Sequence, residues 1–136
     1  MAQRQRILVA NSNKYLGNVV WSRLIPEPEF EIVGLASDAD EAVDMAGELV
    51  PHAILVDLSG SELSGLKTIE VLHAAFPNIP LIAFTPVSSD ECNLAALGAG
   101  AAACLTISEI ADMLLQILRN LIPIRSLVMT HLLNYS

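Results

Sequence analysis

The stretch His52-Ala53-Ile54-Leu55-Val56-Asp57-Leu58-Ser59 runs from an uninterrupted apolar core into one carboxylate and then into a small polar loop. Apolar residues without alternation over a strand's length are the pattern of a strand covered on both faces. Such a strand needs neighbours of the same kind. Working outward, Arg6-Ile7-Leu8-Val9-Ala10, Phe30-Glu31-Ile32-Val33-Gly34-Leu35 and Leu81-Ile82-Ala83-Phe84-Thr85 supply them, and residues 101–106 form a weaker strand of small residues.

Between these runs the apolar residues recur at helical spacing. Asn13 can cap a helix presenting Leu16, Val19, Val20 and Leu24, ended by Pro26 and Pro28. Asp38 followed by Glu41 is a capping-box pattern opening a helix with Ala42, Val43, Ala46, Leu49 and Val50, stopped by Pro51. After the loop 58–65, Ser64 starts a helix with Leu66, Ile69, Val71 and Leu72. Ser88-Ser89-Asp90 opens a fourth helix, with Gly98 near its end, and Ser108 caps a fifth carrying Ile110, Met113, Leu114, Ile117 and Leu118. Successive strand-helix units of this length predict a parallel sheet with helices on both faces, joined by right-handed crossovers. In such folds the ligand site lies beyond the carboxyl ends of the strands. Here those ends hold Asn11 and Ser12, then Asp57, Thr85 and Ile107.

Composition narrows the functional classes. The chain has 136 residues, is 53% apolar and only 16% charged, and carries a net charge of -8. The length suits one domain, and the apolar content argues against disorder. The acidic balance argues against direct binding of nucleic acid by this chain, which needs a basic footprint. No apolar run is long enough to span a bilayer, and the first run is too short for a signal peptide. Two cysteines, Cys92 and Cys104, are too few for a disulfide scaffold, so a reducing cytoplasm is the expected setting. His52, His73 and His131 show no metal-ligand spacing, and no phosphate-binding glycine loop follows the first strand.

At this point the sequence resembles the receiver domain of two-component response regulators. The resemblance covers residues 4–119 and rests on Arg6-Ile7-Leu8-Val9, the stretch 52–59, Gly65-Leu66, residues 76–85 and Ala99-Gly100-Ala101-Ala102. It implies a flavodoxin-like (βα)5 fold, an α/β doubly wound parallel five-stranded sheet, over residues 1–122, with residues 123–136 as a helical extension or linker. It also implies a phosphoacceptor aspartate closing the third strand, which is Asp57, and a phosphoryl-sensing hydroxyl, which is Thr85. Gly65 stands at the family's turn glycine.

The departures from the family pattern are specific. The usual acid pair after the first strand is replaced by Asn11 and Ser12, the usual lysine by Ile107, and the aromatic switch residue by Cys104. Phosphoryl transfer to a carboxylate rests on positioning and on neutralising charge at the transferring oxygens. The Mg2+ that does this in the family would find Asp57 as its one carboxylate here, with Asn11, Ser12 and Ser59 as neutral ligands, so the metal site is expected to be weak or absent. Losing two charge-assisted contacts costs about 3–6 kcal/mol, or roughly two to four decades in affinity or rate.

The expected function is therefore that of a signal-transduction receiver domain of a two-component phosphorelay, atypical and acting as a phosphorylation-independent interaction and regulatory module. It would not be an enzyme. The alternative is a working phosphoacceptor that takes a phosphoryl group on Asp57 from a histidine kinase. Expected partners are a histidine kinase, an output domain, another signalling protein or a second copy of the chain, with no membrane. The plainer readings are an Asp57 that only ties down its loop, an Asn11 and Ser12 that only begin a helix, and cysteines that only fill space.

Overall fold

The computed structural model describes residues 4–11, 14–59, 62–86 and 89–122. Among these, strands β1 (Gln5–Ala10), β2 (Phe30–Ala36), β3 (Ala53–Asp57), β4 (Leu81–Thr85) and β5 (Ala103–Thr106) alternate with helices α1 (Lys14–Leu24), α2 (Ala39–Leu49), α3 (Glu62–Ala75), α4 (Asp90–Ala99) and α5 (Ile107–Leu121). All neighbouring strands pair in parallel, in the order β2-β1-β3-β4-β5. This is the flavodoxin-like doubly wound sheet, whose order reverses between β1 and β3.

The unalternating strands are explained by two cores. Successive residues of a strand point to opposite faces. Ile7, Val9, Leu55, Ile82 and Phe84 pack into one cluster with Leu24 of α1 and with Ile110, Leu114 and Leu118 of α5. Leu8, Ala10, Ile54, Val56, Leu81 and Ala83 pack into the other with Ala42 and Ala46 of α2, Ile69 and Leu72 of α3, and Ala96 of α4. Every residue of β3 and β4 is buried, so neither strand has a polar face.

Several boundaries differ from the sequence expectation. Val50 is not on the apolar face of α2. It caps the helix in the left-handed region at φ 46°, and its side chain is exposed. Pro51 follows, and a residue before proline is kept out of the right-handed helical region. β5 begins at Ala103 rather than 101, because the amides before it close α4. Gly100, at φ +124°, and Ala101 donate back to Leu97 and Ala96, a Schellman closure. α3 starts at Glu62, ahead of Ser64. The cap of α5 is Thr106, not Ser108, for reasons given below. Asp38 and Ser89 cap α2 and α4 as expected, their side chains accepting from the N–H of Glu41 and Cys92. Asn13, Ser88 and the extension 123–136 lie outside the described residues.

Candidate functional site

The register brings the strand ends together. Ala10 of β1 pairs with Val56 of β3, which places Asn11 and Asp57 side by side at the switch point. Asp57 pairs with Phe84, and the Leu58 N–H donates to the Phe84 carbonyl at 2.8 Å. Thr85 pairs in turn with Thr106. Asn11, Asp57, Thr85 and the β5 end are thus neighbours along one edge of the sheet, as the sequence reading required. Ser12 lies outside the described residues.

Asp57 is buried. Its Oδ1 accepts from the Ser59 N–H at 2.7 Å, an Asx-type closure of the loop that leaves β3. Ser59 therefore touches Asp57 through its backbone. Gly65 is not a turn residue: it sits in the first turns of α3. A Cβ there would run into the Leu58 side chain and lie 3.3 Å from the Asp57 carbonyl oxygen. Only a glycine lets α3 approach the Asp57 backbone this closely.

Thr85 is buried as well. The Cys92 thiol of α4 donates to its Oγ1 at 3.6 Å, which ties the end of β4 to the first turns of α4. Cys104 is half-buried and packs against the second cluster.

Asn11 departs furthest from a metal-binding acid. Its backbone is left-handed at φ 60°, a conformation asparagine tolerates better than most residues. Its N–H donates to the Ala36 carbonyl at 2.8 Å. Its Nδ2 donates to Thr68 Oγ1 on α3, also at 2.8 Å. The Thr68 hydroxyl has its own proton committed to the Ser64 carbonyl at 2.9 Å, so the amide must be the donor in this pair. The Asn11 Oδ1 is buried and has no hydrogen-bond partner among the described residues.

At the β5 end, Ile107 is the first residue of α5 rather than the last of the strand. Thr106 and Glu109 form a full capping box. The Glu109 N–H donates to Thr106 Oγ1 at 3.4 Å, and the Thr106 N–H donates to Glu109 Oε1 at 3.1 Å. The Thr106 hydroxyl also lies 3.0 Å from that carboxylate. Ser108 was the expected cap, but the residue three positions after it is Ala111, which cannot complete a box.

Sequence reasoning missed Thr68, Cys92 and Glu109. A signal for Thr68 exists. It shares the buried stripe of α3 with Gly65, Ile69 and Leu72, and a threonine in an apolar stripe needs a polar partner. Glu109 follows Thr106 at capping-box spacing.

The described donors do not make a magnesium site on their own. Asp57 offers a carboxylate, already accepting from Ser59, and Asn11 offers one buried, unpartnered amide oxygen. No group of three acids, histidines or cysteines converges among the described residues. Magnesium demands octahedral oxygen ligation and gives up its waters reluctantly, so one carboxylate and a neutral oxygen hold it poorly.

A parallel sheet in this order, with an aspartate at the switch point and a hydroxyl at the next strand end, is the flavodoxin-like arrangement that the sequence resemblance implied. The family model for the response regulator receiver domain matches residues 7–119, and the chain belongs to that family. It is a receiver domain of the two-component kind. It is 33% identical over 98 residues to a protein-glutamate methylesterase/protein-glutamine glutaminase of Shewanella denitrificans, covering 71% of this chain and 25% of that protein. A second such protein, from Nocardioides sp., is 28% identical over 98 residues, covering 71% of this chain and 27% of the relative. The chain thus spans about a quarter of the length of the curated relatives it matches. Among solved structures, the response regulator domain of Thermotoga maritima CheB superposes with a TM-score of 0.76 at 24% identity, over 88% of this chain and 97% of that one. The Salmonella typhimurium RcsB response regulator gives 0.76 at 18% identity, over 88% and 60%. At these identities the likeness speaks for the fold. No helix of the described residues is long and apolar enough to cross a membrane.

Proposed function

We propose that this receiver domain works through its surface, as a phosphorylation-independent interaction module with a degenerate phosphorylation pocket. The Asn11–Thr68 hydrogen bond carries the reading. A neutral amide stands where the family has an acid, and its donor is engaged by α3. This supports a pocket that rests without a cation, since closely packed carboxylates repel and need one. Substitution of the second acid by Ser12 and of the lysine by Ile107 removes further charge from the same chemistry. The face of α4, β5 and α5 supplies a docking surface, with Leu94, Leu97 and Met113 exposed on it. The partner would be a histidine kinase, an output domain such as the methylesterase portion of the relatives, another signalling protein or a second copy.

The second reading, a working phosphoacceptor, is favoured by the buried Asp57 at the end of β3 with the Thr85 hydroxyl one strand away. Intact-protein mass after incubation with acetyl phosphate and magnesium separates the two, with Asp57→Asn as the control. The surface-module reading expects no phosphoryl adduct on either protein. An adduct on the wild type alone overturns it in favour of the phosphoacceptor.

A further inference from the structure

Trp21 and Ile25 are large apolar side chains left in solvent, at 42% and 58% exposure. Ile25 directly follows α1, and its N–H donates to the Trp21 carbonyl at 2.9 Å, so the two side chains share one face of that turn. With Leu24, Phe30, Glu31, Ile32 and Arg4 they line an open groove of about 220 Å³ between α1 and the edge strand β2. Further along β2 the same side stays apolar. Leu35 pairs with Val9, which belongs to the core cluster shared with α1, so Leu35 points to that side of the sheet, where it is exposed.

The groove carries one fixed cation and one anion. Arg4 donates to the Pro28 and Phe30 carbonyls, at 3.2 and 2.6 Å, which ties it to the start of β2. A guanidinium has five N–H donors, so others remain for an acceptor across the groove. Glu31, on the same wall, is exposed.

Charge decides what can cover this surface. The chain carries a net charge of -8, so two copies repel unless the surfaces that meet are locally balanced. α2 carries Asp40, Glu41, Asp44 and Glu48, and α4 carries Asp90 and Glu91, with no lysine or arginine on either helix. Those helices oppose their own copies. Around the α1–β2 groove the signs are mixed. Beside the Arg4 and Glu31 of its wall, Arg119 pairs with Glu27 and Glu29 in the α1–β2 connection and lies 6.0 Å from the ring centroid of Phe30. A patch with one group of each sign is self-complementary under a two-fold axis: Arg4 of one copy meets Glu31 of the other, and symmetry supplies the reverse contact.

We propose that the α1–β2 groove is a self-association surface, on which a second copy of this chain covers Trp21 and Ile25 and exchanges Arg4–Glu31 pairs. The surface lies apart from the α4, β5 and α5 face, and it operates whether or not Asp57 takes a phosphoryl group.

Sedimentation velocity of the full chain over a wide concentration range tests this. The wild type should form a dimer. Trp21 is the one tryptophan of the chain, so its emission should shift to the blue and its acrylamide quenching fall as the dimer fills. Ile25→Asp, at an exposed position, should raise the dimer dissociation constant roughly tenfold or more at unchanged Tm. Glu31→Arg separates paired charge from net charge. It makes the chain less acidic, which favours any other self-association, yet here it sets two cations against each other and should weaken the dimer several-fold. Asp44→Arg makes the same charge change on α2 and should leave the dimer intact or tighten it. A monomer at every concentration overturns the proposal, as does a dimer tightened by Glu31→Arg. A dimer that survives Ile25→Asp but is lost in Leu94→Ser with Leu97→Ser places the contact on α4 and overturns it too.

Discussion

The Asn11 amide donates to the Thr68 hydroxyl across 57 residues of sequence, joining the end of β1 to the middle of α3 at 2.8 Å. The pair sits beside Asp57, where the family pattern has an acid. The position is held by a neutral hydrogen bond, and the Thr68 proton continues the chain to the Ser64 carbonyl.

Removing the hydroxyl should therefore cost more than its size suggests. Thr68→Val keeps the shape but leaves the Asn11 donor buried without an acceptor, next to an Oδ1 that has no donor among the described residues. The expected destabilisation is about 1–3 kcal/mol. Thr68→Ser keeps the hydroxyl and loses a methyl, for about 1 kcal/mol. Urea unfolding at unchanged m-value would rank the two. Equal stability of the valine variant and the wild type would show that the bond contributes nothing.

Restoring the acid tests the cation argument. Asn11→Asp sets a second carboxylate beside the buried Asp57 and faces an acceptor toward Thr68 Oγ1. Without metal the variant should melt below the wild type, because like charges in a poorly solvated site oppose each other. Magnesium should then raise its Tm more than it raises that of the wild type, the new carboxylate being a hard oxygen ligand. An identical magnesium response in both proteins would mean that the charge of residue 11 does not govern metal binding.

How much of this was legible in advance follows from range. The strands were readable because a doubly covered parallel strand writes itself as an unbroken apolar run, as Ala53–Asp57 and Leu81–Thr85 do. The caps Asp38 and Ser89 were readable because their partners lie three residues on. Thr106 was readable as the end of the fifth strand, but the cap was placed at Ser108, although Glu109 at the third position after Thr106 marks the box. The Asn11–Thr68 and Cys92–Thr85 contacts could not be read, because each joins elements that only tertiary packing brings together. Gly65 was legible as a required glycine but not for the right reason. The constraint is the nearness of Leu58 and the Asp57 backbone, not a turn.

Val50 offers a gain in stability. It is a β-branched residue held at φ 46°, ψ 65°, with its side chain exposed. The left-handed region costs a residue with a Cβ roughly 1–2 kcal/mol, and asparagine or glycine much less. Val50→Asn should therefore raise stability by about 1 kcal/mol, seen as a higher midpoint in urea. A lower midpoint would mean that the exposed isopropyl group packs more usefully than its exposure indicates.

His52 couples the start of the sheet to pH. The Arg6 N–H donates to its Nδ1 at 2.9 Å, and the His52 N–H returns a bond to the Arg6 carbonyl at 2.7 Å. Partial burial, and then the Arg6 charge, hold the imidazole below its ordinary value of 6.5. The neutral ring is the one that can accept from Arg6, so protonation of the folded chain replaces an acceptor with a donor. The unfolded chain thus takes up this proton first as pH falls. The stabilisation is fully present above about pH 6.5 and is lost progressively below it. His52→Asn keeps an acceptor oxygen at similar reach and does not titrate. Urea midpoints measured between about pH 7.5 and 5.5 should fall for the wild type and stay nearly level for the variant. Parallel slopes in the two proteins would assign the acid sensitivity to other groups.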